Sequence, residues 1–161
     1  GKAWRRRSIT RSSARAPSDE LFQRGGTIVS IETNRDLVVR TFAALSSGDM
    51  PGFLDCFADD LQWTIIGQTV YSGTYSGKGD LTTRLFGRLA EQLDDNGIRA
   101  EVQNTIAEGN TVVAQVQGTA QTKTGRSYNN TYCFVIDIHD GKIKHWTEYL
   151  DTELVTAAFV D

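Results

Sequence analysis

The stretch that decides the fold is Ile98–Leu150, IRAEVQNTIAEGNTVVAQVQGTAQTKTGRSYNNTYCFVIDIHDGKIKHWTEYL. Side chains on a strand alternate between its two faces, so a two-residue hydropathy period marks a strand. That period runs through this stretch and predicts strands over 98–107, 111–122, 126–138 and 142–150. Gly109-Asn110, Thr124-Gly125 and Asp140-Gly141 interrupt it as turn signals. Four long strands joined by short turns form an antiparallel meander.

The period differs upstream. Leu37, Val38, Phe42 and Leu45 recur at helical spacing after a Thr33…Asp36 pattern that resembles a capping box, and Gly48 stops the helix. Asp49 and Pro51 suit the start of a short second helix with Phe53, Leu54 and Phe57 inward and Ala58-Asp59-Asp60 at its end. Leu61–Ile65 alternates as a strand, and the Gly-rich stretch to Gly79 reads as a loop. Leu81, Leu85, Phe86, Leu89 and Leu93 mark a third helix. Helices followed by a meander predict an α+β domain with its helices on one face of the sheet. Both faces of the late strands carry apolar residues, which suggests that a second copy of the chain covers the outer face as a homodimer.

Composition narrows the function classes. The 161 residues suit one domain beginning near Ile31, and no apolar run reaches the length of a bilayer span, so a soluble, cytoplasmic protein is expected. Residues 1–25 hold seven Lys or Arg against two Asp or Glu, a net charge of +5, while the rest of the chain carries −8. The acidic body disfavours binding to phosphate backbones. Residues 1–26 lack a secretory apolar segment. Their Arg- and Ser-rich character superficially suits a transit peptide or a nucleic-acid arm. They are read as a solvated basic N-terminal extension.

Cys56 and Cys133 sit in apolar segments and read as separate core thiols. His139 and His145 have no partner at a ligand spacing, so no metal is expected, and the lack of a nucleotide-binding glycine pattern predicts no cofactor. Asp59-Asp60 reads as a solvated pair, and Asp151 as the cap of a terminal segment over 152–159.

Several phrases resemble the SnoaL-like, ketosteroid-isomerase-like branch of the nuclear transport factor 2-like superfamily. They are Ser47-Gly48-Asp49, Phe57-Ala58-Asp59-Asp60, Trp63 with Gly67, and Tyr75-Ser76-Gly77-Lys78-Gly79. Asp140-Gly141-Lys142-Ile143 and Glu148-Tyr149-Leu150-Asp151 continue the likeness, which spans about 33–158. The resemblance implies a cone-shaped barrel: a strongly curved, mainly antiparallel sheet wrapped around three helices, with an interior pocket. The fold hosts enzymes and binders alike, so it does not fix the chemistry.

Two relatives can be compared position by position. Ketosteroid isomerases need a carboxylate base and two oxyanion donors. Their positions fall on Ile65, Thr41 and Cys133, so that residue set is absent. Limonene epoxide hydrolases use an Asp-Arg-Asp relay, whose positions fall on Gln115, Gln117 and Glu148, with a Tyr and an Asn falling on Trp63 and Ile65. Two amides replace that charged relay.

These alignments imply a pocket face made of Trp63, Ile65, Gln115, Gln117, Trp146, Glu148 and Leu150. The isomerase register adds Asn129, Thr131 and Cys133, whereas simple amphipathicity turns Tyr128, Tyr132 and Phe134 inward instead. Between Trp146 and Leu150, a Glu148 carboxyl would lose water and gain a higher pKa, fit for acid–base work. The expectation is an isomerase, lyase or cyclase for a small apolar ring-containing substrate, with Glu148 as acid/base and Gln115 and Gln117 orienting polar groups. The alternative is a hydrophobic-ligand-binding module that turns nothing over, with Glu148 held by the glutamines. A third possibility is an interaction domain that uses its basic tail.

Overall fold

Ser30 begins the described part of the chain, residues 30–160 of a computed structural model. The expected extension over 1–26 lies outside those residues. Ser30 caps α1 (Ile31–Ser47), its Oγ accepting the Thr33 backbone N–H at 3.2 Å. The cap therefore sits three residues before Thr33, on a residue type equally suited to that position. Gly48 ends the helix in the left-handed conformation at φ 75°. Asp49 caps α2 (Met50–Asp55), its carboxylate accepting from Gly52 N–H at 3.0 Å.

The strand β1 covers Phe57–Ile65. The segment read as a helix end is thus already strand, and a bulge between Phe57 and Gln62 explains the misreading. Phe57 and Leu61 are both buried while Asp59 and Asp60 stay exposed, a four-residue spacing that imitates a helix turn. Part of the Gly-rich loop forms β2 (Gly73–Ser76), paired antiparallel with β1. The third helix, α3, runs through Gly77–Asp80, a π-helical stretch Leu81–Phe86, and Gly87–Gln92.

The meander follows as β3 (Arg99–Glu108), β4 (Thr111–Gln121), β5 (Ser127–His139) and β6 (Lys142–Leu150). Asp140 and Gly141, at φ 50° and 74°, join β5 to β6 as the two-residue turn whose twist matches paired strands. Asp151 caps α4 (Thr152–Phe159), accepting from the N–H groups of Glu153 and Leu154.

Strand order is β2-β1-β6-β5-β4-β3, with β1 and β6 the parallel pair and the other neighbours antiparallel. The curved sheet ends at β2 and β3 and does not close. One contiguous core joins Val38 and Phe42 of α1, Leu81 and Leu85 of α3 and Val155 of α4 to Val112, Val116, Ile136 and Trp146 of the sheet. Each such side chain, fully buried, contributes roughly 1.5–3 kcal/mol, which fastens the helices to this one face. Among the described residues, no helix is long and apolar enough to cross a membrane.

Candidate functional site

Between the sheet and the helices lies a cavity of about 60 Å³. Phe42 and Leu45 of α1, Leu85, Phe86 and Leu89 of α3 and Val155 of α4 form its helical side. The sheet side is Trp63 and Ile65 of β1, Val116 of β4, Tyr128, Tyr132 and Phe134 of β5, and Glu148 and Leu150 of β6. This lining is hydrocarbon except for the Glu148 carboxyl, the Trp63 indole N–H and the phenols. Leu45, Phe86, Leu89 and Ile98 also border an open groove of about 600 Å³ that reaches Ser46–Gly48 and Asp94–Gly97. The groove and the cavity therefore share a wall made by the end of α1, α3 and the approach to β3.

Strand parity delivers Glu148 to this place. A bulge where β6 meets Asp137 and Ile138 lets Ile143 and Trp146 both face inward. Regular alternation then carries Glu148 and Leu150 to the same side. Glu148 is 8% exposed, and its Oε2 accepts a hydrogen bond from Trp63 Nε1–H at 3.0 Å. Burial pushes its pKa up to about 7, against the lowering effect of the Trp63 donor. The Trp63 ring is stacked on Trp146, centroids 4.5 Å apart at 21°.

Burial likewise raises the phenol of Tyr128 to about 12 and that of Tyr132 well above its ordinary value, and the Glu148 charge adds to both. Tyr132 donates to Tyr128 across 3.0 Å, and Asn130 Nδ2 donates to Tyr128 at 3.4 Å.

The structure gathers Trp63, Ile65, Glu148 and Leu150 at the cavity. Trp146 is buried behind Trp63 and does not line it. The other five expected residues lie on the opposite face. Gln115, Gln117, Thr131 and Cys133 border an outer groove with Gln103 and Tyr149, and Asn129 is exposed on that same face. Gln115 accepts from Asn104 and Gln117 from Thr131, so neither glutamine meets Glu148. The reason is register: moving a strand by one residue exchanges its faces. In place of those residues, Val116 of β4 and Tyr128, Asn130, Tyr132 and Phe134 of β5 face inward. The aromatic alternation of β5 was the signal for Tyr128, Tyr132 and Phe134.

Cys56 is buried and Cys133 half-buried, both free thiols. His145 is exposed with Nδ1 4.0 Å from Asp137, and the His139 ring lies 6.5 Å from it, both away from the cavity. Among the described residues, no three His, Cys, Asp or Glu side chains form a metal cluster.

Comparison with known proteins agrees with this architecture. The SnoaL-like domain family matches residues 38–146, from α1 to the Trp behind the cavity, leaving Glu148 just beyond the matched span. A curated relative, the uncharacterized protein Rv0034 of Mycobacterium tuberculosis, is 22% identical over 128 residues, covering 80% of this chain and 96% of its own. An NTF2-like protein of Burkholderia xenovorans superposes with a TM-score of 0.66 at 26% identity, over 81% of this chain and 98% of that one. An LEH-like epoxide hydrolase of M. tuberculosis shares the fold at 19% identity and a TM-score of 0.62, over 81% of this chain and 91% of its own. By its family match, its strand order and its helix-covered sheet, the chain belongs to the SnoaL-like domain family of the nuclear transport factor 2-like superfamily.

Proposed function

We propose that the chain is a small-molecule enzyme of the isomerase, lyase or cyclase type, in which Glu148 moves a proton on an apolar, ring-containing substrate. One observation carries this reading: a carboxyl that is 8% exposed, its pKa pushed up to about 7 by burial, stands in a cavity lined by hydrocarbon apart from an indole N–H and the tyrosine phenols. Near neutrality such a group is present in both protonation states, so it can take a proton from one atom and return it to another. In water an ordinary carboxylate is almost wholly ionised at that pH and makes a poor acid. Gln115 and Gln117 lie across the sheet and orient nothing in this cavity. A cavity of about 60 Å³ is smaller than the usual several hundred Å³ of a ligand site. Admitting a ring therefore requires α3 or the wall at Leu45 and Ile98 to give way. The π-helical stretch bearing Leu85 and Phe86 is the kind of irregularity that accompanies such sites.

The test begins with native mass spectrometry, which reads both the number of chains per particle and the mass of any co-purified small molecule. That compound is then incubated with the wild type and with Glu148→Gln, which keeps the volume and cannot transfer a proton. General acid–base catalysis predicts a loss of roughly 10²–10⁴ in rate, and a wild-type rate profile with an inflection near pH 7. An unchanged rate in the variant removes Glu148 from the chemistry. A compound that binds and leaves unaltered from the wild type favours the binding module over the enzyme.

A further inference from the structure

We propose that Tyr128 and Tyr132 act as one paired-hydroxyl site that donates a single hydrogen bond to an uncharged acceptor oxygen, of the carbonyl kind, on the cavity ligand. The inference rests on the reading of the cavity as a ligand site and adds to it what the ligand must carry.

The argument is a count of protons. Asn130 Oδ1 accepts the Asp151 backbone N–H at 3.0 Å, and Nδ2 donates to the Asp151 carbonyl at 2.9 Å. Those two bonds fix the amide's orientation, so toward Tyr128 it can only donate. The phenols share one bond across 3.0 Å, which consumes one of their two protons. The other has no acceptor among the described residues, whichever phenol carries it. Both tyrosines are more than nine-tenths buried, at 5% and 7% exposure, and both line the cavity. A buried hydroxyl proton without an acceptor is costly and uncommon. Both phenols remain protonated at neutral pH, so the pair offers a donor and never a negative charge.

The position of the pair gives it a role. Phe134 stands directly across from Glu148 in the β5–β6 register, and Tyr132 across from Leu150, the next inward residue of β6. A ligand oxygen held by the tyrosines therefore sits one diagonal step from the carboxyl on the same face. An anionic oxygen would meet the Glu148 charge there, and hydrocarbon surrounds the rest. The fitting ligand is an apolar molecule with a neutral carbonyl.

The experiment uses a matched pair of ring probes, cyclopentanone and methylenecyclopentane, which differ in C=O against C=CH₂. Affinities are measured by NMR titration at pH 8.5, where an ionised Glu148 donates nothing. The ratio favouring the ketone should fall about five- to tenfold from the wild type to Tyr128→Phe/Tyr132→Phe, the worth of one neutral hydrogen bond. The infrared carbonyl band of isotopically labelled cyclopentanone on the wild type should lie below its position in hexane. A hexane-like position overturns the proposal even if the double variant does not fold. An equal ratio in the wild type and the double variant, a hexane-like band, or no binding of either probe at millimolar concentration overturns the proposal. Failure of the acid/base reading looks different: turnover survives Glu148→Gln, while the wild-type probe ratio still falls in the double tyrosine variant.

Discussion

At the scale of a single residue, Trp63 governs the site as much as Glu148 does. Its indole N–H is the donor that holds the carboxyl and works against the upward pull of burial. Trp63→Phe keeps an aromatic ring against Trp146 and Phe53 but deletes that donor. The Glu148 midpoint, followed by carbon-13 NMR of its carboxyl, should then rise further above its wild-type position, because the ionised carboxylate loses more from the missing donor than the neutral acid does. A midpoint that falls or stays put would mean the indole does not hold the ionised form. Both residues were legible in the sequence. Trp63 and Ile65 share one parity of a short strand, and Trp146, Glu148 and Leu150 share one parity of another. The hydrogen bond between the first and last strands was not legible. It depends on the parallel pairing of β1 with β6, in which Trp63 stands beside Trp146 and Ile65 beside Glu148.

At the scale of elements, β4 and β5 decide what surrounds the carboxyl, and here the sequence reading divided. Gln115, Gln117, Asn129, Thr131 and Cys133 follow the registers of two relatives, and strand registers differ by single residues between distant chains. One residue is enough to turn a strand over. The chain's own hydropathy was the better guide, since burying Tyr128, Tyr132 and Phe134 removes far more apolar surface than burying Asn129 and Thr131. Gly118 shows how closely the two strands are matched. A Cβ there would come within 2.5 Å of the Tyr132 ring, so the missing side chain is the space the ring occupies. Gly118→Ala should displace that ring, break the 3.0 Å phenol pair and destabilise the fold by about 1–3 kcal/mol. Chemical denaturation together with the Tyr132 ring resonances would register both effects. Wild-type stability with unmoved resonances would show that the sheet absorbs the methyl group elsewhere.

At the scale of the whole molecule, the sheet binds its helices through a core that also holds a carboxyl away from water, and this ties global stability to pH. Glu148 titrates near 7 in the folded chain and near 4.5 when exposed. Between those values the native state keeps a proton that the unfolded state has released. Stability therefore falls as pH rises from about 4.5 to 7 and levels off above. The magnitude is on the order of 3 kcal/mol, from about 1.4 kcal/mol for each pH unit between the two midpoints. Asp55, Asp60 and Asp80 act in the opposite sense. Lys142, Lys144, and the Ser76 N–H with Arg84 hold their pKa values below the ordinary range. The stability they contribute is present above the ordinary carboxylate range and is lost only as acid protonates them, below pH 4. Asp55 and Asp60 are exposed and Asp80 is half-buried at the surface, so their share is small. Denaturation midpoints measured from pH 4 to 9 should trace a decline that ends near neutrality, and Glu148→Gln should flatten it and leave the protein more stable than wild type at pH 8. A variant that is less stable at pH 8, with the slope intact, would place the ionised carboxyl among the groups that hold the fold together. A flattened slope would instead identify it as a group the fold tolerates at a cost, the expected signature of a residue kept for chemistry.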